Sequence, residues 1–270
     1  MSEIRKRAWL GNWGGSAMIL AIFAACVHPL LTVHATITTP NIQASLSRIP
    51  FVGCKSDGQL GPLDATTGKS KIVPITAELA QQLAYYQAEQ GGGVLAPRGW
   101  YCFETYGSNG DNLYVTPQPV DAKTFFSDTW LGFSGPAIQL SISYGGTSGR
   151  FEVAHIIARV FPAHRGFVRS VIKEGIDPSS SFVFGPYPQD KLIYKNKEIV
   201  EYQTPPNAEG LGTNSHLQKN GSPISGVAIL AGVSSEPSLW LLSTRLPSNS
   251  VGLSTAIIQQ VERDAAEPDR

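Results

Sequence analysis

The feature that most constrains this chain is its first 35 residues, because they decide the compartment in which everything after them folds. A basic cluster, Arg5-Lys6-Arg7, precedes an uncharged apolar run from Ala17 to Val27. Pro29 interrupts the run, and Val33-His34-Ala35 closes it. A positive head, a short apolar core, a breaker and a small residue make up a secretory signal peptide. The expected layout is a signal peptide over 1–35 cleaved after Ala35, a polar segment over 36–50, a single globular domain over 51–265 and a frayed tail over 266–270. Two other readings of the leader compete. A membrane span needs roughly 20 consecutive apolar residues, and His28 and Pro29 fall inside the stretch from Ala17 to Val33. Lipidation at Cys26 is suggested by the preceding Phe23-Ala24-Ala25, although the residues after Cys26 stay apolar where a polar tether is expected. Membrane contact is expected only through this segment, if it stays uncleaved or is lipidated.

Export changes the cysteine arithmetic. Removing Cys26 leaves Cys54 and Cys102, and an even pair in an oxidising compartment reads as a disulfide. The competing reading makes one of them a catalytic thiolate, but no histidine is near either in sequence. Charge adds a second bound: 21 basic residues balance 21 acidic ones. No clustered basic face signals nucleic acid, and no cofactor motif is complete. With 27 glycines, 19 prolines and only 16% charged residues, the composition suits a turn-rich, strand-rich protein.

Local patterns place the elements. Thr76 is an expected N-cap, with Glu78 in the first turn and Leu79, Leu83 and Tyr86 at helical spacing; Gly91-Gly92-Gly93 is read as the stop. Trp100 to Phe103 and Leu113 to Val115 flank Ser108-Asn109-Gly110-Asp111, a strong hairpin signal. A second strand pair is expected over 137–144 and 150–161, reversing through the glycines at 145–149. Phe167, Val168, Val171 and Ile172 make a helical stripe ending at Gly175. Further strands are expected over 191–194 and 198–202, then 227–233 and 239–246, with a closing helix over 253–263. The fold class is α+β: a largely antiparallel sheet built from hairpins, two or three short amphipathic helices and long Gly/Pro-rich loops.

Several catalytic patterns nearly occur. Gly68-Lys69-Ser70 lacks the upstream glycine of a phosphate loop, since position 63 is Leu63. Ser170 and Lys173 match the Ser-x-x-Lys spacing of serine acylases, without the partner motifs. Among the histidines after the leader, His155 is expected in an apolar strand, His164 at a helix start, and His216 in a long loop. None has zinc-ligand spacing. Two loops stand out by length, 53–68 and 204–225. They supply Asp57, Glu209, Asn214 and His216 as candidates for ligand contact. Trp100, Trp130 and the tyrosines are read either as ligand surface or as core. Two functional readings remain. One is an exported, disulfide-stapled binding or envelope-associated module without chemistry of its own. The other is a secreted hydrolase assembled from sequence-distant His, Ser and carboxylate residues, with His216, His164 or His155 as base. A histidine within hydrogen-bond reach of a serine and a carboxylate, in a cleft, tells them apart.

Overall fold

Strand formation follows the alternation of apolar side chains, and two sheets result in the computed structural model, which describes residues 45–267. The first strands are β1 (Leu46–Gly53), β2 (Lys55–Gly58) and β3 (Ser70–Pro74), followed by helix α1 (Ala77–Gln82), β4 (Leu83–Gln87) and β5 (Val94–Pro97). Next come β6 (Tyr101–Gly107), β7 (Gly110–Thr116), α2 (Ala122–Phe125), β8 (Ala137–Tyr144), α3 (Arg150–Val160) and α4 (Arg165–Lys173). The chain continues through β9 (Lys191–Tyr194), β10 (Ile199–Thr204), β11 (Ile224–Ala231), β12 (Ser238–Arg245) and α5 (Ser254–Ala266). A four-stranded sheet has the order β3-β1-β4-β5, and an eight-stranded sheet has the order β2-β6-β7-β8-β12-β11-β10-β9. All neighbours are antiparallel except β1–β4 and β2–β6. The fold is therefore α+β, with mostly antiparallel sheets and five α-helices among the described residues.

The large sheet buries both faces, as the period-2 alternation of its central strands requires. Val227, Ile229, Trp240 and Leu242 face α5 and the small sheet. Ala228, Leu230, Leu239 and Leu241 face α3 and α4. Cys54, directly after β1, is bonded to Cys102 of β6, with the Cα atoms 5.3 Å apart. That bond ties the small sheet to the large one.

The hairpins β6–β7 and β9–β10 fall where the sequence places them, and β11 and β12 overlap the two strands expected over 227–233 and 239–246. Thr76 caps α1, its hydroxyl accepting from the Leu79 amide at 3.3 Å. Several expectations fail. The segment from Arg150 is a helix, not a strand, so His155 is helical. Val153, Ile156, Ile157 and Val160 repeat at helical spacing and all are buried. Their β-branched character is misleading on its own. Helix α1 stops at Gln82, well before the triple glycine. From Leu83 to Tyr86 four consecutive residues are buried, which a doubly covered strand permits and a surface helix does not. The 53–68 loop contains β2, paired with β6. The first strand begins at Leu46, ahead of Phe51. At the other end α5 runs to Ala266, into the segment expected to fray. The leader, Cys26 and the cleavage position at Ala35 lie outside the described residues. Among the described residues no helix is long and apolar enough to cross a membrane.

Candidate functional site: an acid pair beside a glycine loop

Three consecutive glycines join β4 to β5, and each has a different neighbour that excludes a side chain. Gly91 has φ +64°, a conformation glycine adopts without steric cost. A Cβ on Gly92 would lie 2.7 Å from the Trp240 ring, and one on Gly93 would lie 2.3 Å from the Tyr85 ring. The loop thus presents bare backbone along a cleft of about 430 Å³. The volume is within the range of small-molecule sites. Trp240 and Tyr144 line it, and so do Lys71, Tyr85 and Asp264.

The last three form one unit. The Tyr85 hydroxyl donates to Asp264 Oδ2 at 2.9 Å, and Gln260 Nε2 donates to Oδ1 at 2.7 Å. Lys71 Nζ stands 3.9 Å from the centre of the Tyr85 ring and 3.9 Å from Asp264 Oδ1. Burial and the Asp264 charge push the Tyr85 hydroxyl pKa well above its ordinary value, so it stays a donor.

Behind Gly91 sit two carboxyl groups. Glu104 pairs with Leu113 across the β6–β7 hairpin, and Asp111 pairs with Tyr106. The two acids are therefore diagonal neighbours on one face. A Cβ on Gly91 would be 3.0 Å from Glu104 Oε1 and 3.0 Å from Asp111 Cβ. Glu104 is 0% exposed, and neither of its oxygens closes a hydrogen bond. The Gln90 backbone amide is near enough to favour the charged form without meeting hydrogen-bond geometry. Burial first, and the Asp111 charge second, raise the Glu104 pKa to about 8. At neutral pH it is mainly the neutral acid. Asp111 is also raised by burial, although the hydroxyl of Tyr144 donates to its Oδ2 and opposes the shift. Tyr144 itself is pushed up by burial and by both acids. Chemically, the pair can store a proton and accept N–H or O–H donors. It lacks the third ligand of a metal centre: among the described residues no group of three or more His, Cys, Asp and Glu could hold a metal ion.

The residues singled out from sequence lie elsewhere. His155 on α3 stacks on Phe182 at 4.4 Å and approaches Asp177 at 3.6 Å, across the large sheet from the cleft. His164 lies 4.0 Å from Glu198. Ser170 is exposed and donates to the Phe167 carbonyl within its own helix, and Lys173 is exposed too. Asp57 accepts from the Gly58 amide. Asn214 donates to Glu152, and Glu209 pairs with Lys219 at 2.6 Å. His216 Nδ1 is 3.2 Å from the Tyr114 hydroxyl, and its ring packs on Trp130 at 4.9 Å. His216 and Glu209 share a shallow depression, whereas His155 and His164 stand apart from it. Among the described residues no hydrogen bond joins a histidine side chain to a serine hydroxyl.

Sequence reasoning missed Glu104 and Asp111, although a signal was present. Leu113 and Val115 face the core, and strict alternation puts Asp111 on that same face. On β6, Glu104 shares a face with the disulfide residue Cys102. Two acids at core-facing strand positions are rare without a reason. Comparison with known protein families, with curated proteins and with solved structures finds no match to this chain.

Proposed function

We propose that the chain is an exported protein that binds a small organic molecule in the cleft beside the Gly91–Gly93 loop. The observation that carries this reading is the loop itself. Three glycines let the backbone of one cleft wall pack directly against Glu104, Trp240 and Tyr85, where a Cβ would clash. Aromatic faces with a few converging polar groups are the usual lining of such sites. Export is supported by the Cys54–Cys102 bond, which persists in oxidising compartments, and by the leader grammar. Intact mass of the purified protein, with and without reductant and alkylation, tests both: loss of the leader and one protected cysteine pair are expected.

The binding reading is tested by fragment screening of the full-length chain labelled with ¹⁵N at tryptophan. Fragments that occupy the cleft move the Trp240 indole resonance more than that of Trp130, which lies in the separate His216 cluster. Gly92→Val pushes a side chain into the Trp240 ring and removes those shifts. A screen in which no fragment moves Trp240 preferentially overturns the reading.

A further inference from the structure

We propose that the cleft takes a primary organic amine, its ammonium group seated at the Glu104–Asp111 pair and its carbon skeleton against the rings of Trp240 and Tyr144. This inference rests on the reading of the cleft as a small-molecule site and names the ligand chemistry.

Four observations carry it. First, Glu104 is wholly buried with two oxygens that close no hydrogen bond, and Oε1 is turned toward Gly91, a residue of the cleft wall. An acid without donors is matched by a ligand that brings several, and an ammonium group brings three. Second, Tyr144 connects the pair to the cleft: its side chain lines the cavity while its hydroxyl donates to Asp111. An ammonium that displaces this hydroxyl meets both acids. Third, the charge left over is negative. Lys71 is engaged by Asp264 and by the Tyr85 ring, which leaves Asp111 without a cation and Glu104 holding a proton that it releases to solvent when an ammonium group takes its place. Fourth, the cleft already holds one ammonium in this manner, that of Lys71, between an aromatic face and a carboxylate. Aromatic rings attract cations through their quadrupole, so Trp240 and Tyr144 suit the same partner.

A divalent metal fits less well, because two carboxylates without a third protein ligand do not make a closed site. A quaternary ammonium ion offers no N–H to the acids.

The test compares benzylamine with its neutral isostere benzyl alcohol, with benzoate and with calcium chloride, all on the full-length chain, by calorimetry and by the Trp240 indole resonance. Benzylamine is expected to bind at least about tenfold tighter than benzyl alcohol, as charge-assisted hydrogen bonds imply. Glu104→Gln and Asp111→Asn, checked for native spectra, each erase that preference while benzyl alcohol affinity holds. The wild-type comparison stands even if a variant fails to fold. Equal binding of amine and alcohol, or preference for benzoate or calcium, overturns the inference and leaves the cleft a small-molecule site. If none of the four moves Trp240 and the fragment screen is also silent, the reading of the cleft itself falls.

Discussion

Glu104 and His216 are both titratable side chains shifted by burial, and they differ in what their surroundings satisfy. Around His216, Tyr114 stacks on Phe125 with centroids 4.3 Å apart, and the Tyr114 hydroxyl meets the imidazole. The His216 amide donates to Gln139 Oε1 at 2.7 Å, and Gln139 Nε2 donates to Ser141 at 2.8 Å. Beneath them Arg245, 2% exposed, gives Nη1 to the carbonyls of Phe133 and Gly135 and Nη2 to that of Gln218. Most polar atoms there are used by the chain, with Arg245 Nε the buried exception. At Glu104 the opposite holds: the oxygens are buried and close no hydrogen bond. An unsatisfied buried polar group costs roughly 1–3 kcal/mol. A largely satisfied cluster holds loops in place, whereas a buried acid that closes no hydrogen bond is costly to fold and adds nothing to loop order.

The largest expected effect removes the staple that holds the acid side of this comparison. Cys54→Ser with Cys102→Ser opens a loop closed across a sequence separation of 48, worth about 4 kcal/mol on the chain-entropy account. Urea unfolding measures the loss. Hydrogen exchange should accelerate first in β4, β5 and β6, around the cleft, with the His216 cluster following later. Simultaneous loosening of both regions would mean that the staple acts on the whole chain rather than on the cleft.

Next in size is Arg245→Met, which strands the Gly135 and Gln218 carbonyls that the guanidinium now holds, while that of Phe133 keeps the Gln218 amide. A loss of about 3 kcal/mol is expected, again read by urea unfolding. Exchange should rise at 132–135 and 216–218, and cleft occupancy should survive. A variant as stable as the parent would show that these loops do not need the clamp.

Glu104→Gln works in the other direction. The folded-state pKa of Glu104 is raised from 4.5 to about 8, so the folded chain binds the extra proton between those values. Its favourable contribution is complete below about pH 4.5 and is lost as pH rises toward 8, at no more than about 1.4 kcal/mol per pH unit. The neutral amide is held at no charging cost, so the variant should gain roughly 2 kcal/mol over the parent near pH 8. Its stability should also vary less with alkaline pH. A parent whose stability does not decline across this window would remove the case for a buried, proton-holding acid. Asp111 is shifted in the same direction, so Asp111→Asn should flatten what slope remains.

Much of the fold was legible because it is local. Asn109-Gly110, Lys195-Asn196-Lys197 and the stripe through Val168 and Val171 each carry their own turn or period. What was hidden is non-local. Nothing near Lys55 says that β2 pairs parallel to β6, and nothing near Ala137 says that β8 lies beside β12. Helix α3 was misread because Val and Ile favour strands on propensity while their spacing said helix. At the site, Gly91-Gly92-Gly93 reads locally as a helix stop. Its meaning depends on Trp240, Tyr85 and Glu104, which only the sheets bring to it. The histidines drew attention by residue type, and the acids escaped it because carboxylates in a strand look ordinary until burial is known.

The smallest expected effect sharpens the contrast by its sign. Desolvation by burial lowers the His216 pKa from its ordinary value of 6.5, although the residue as a whole is exposed. A base whose folded value is lowered resists protonation, so its contribution is complete above pH 6.5 and is lost as pH falls through the folded value. The two regions therefore weaken the chain at opposite ends: His216 on the acid side, Glu104 on the alkaline side. His216→Gln should remove only the acid limb of the stability profile and leave the alkaline limb to Glu104. Glu104→Gln should do the reverse, and the double variant should lose both limbs additively, since distant sites rarely couple. Thermal melts at pH 5, 6.5 and 8 resolve the two limbs. If His216→Gln also altered the alkaline limb, the two centres would be one coupled network, and the contrast between a satisfied cluster and an unsatisfied site would fail.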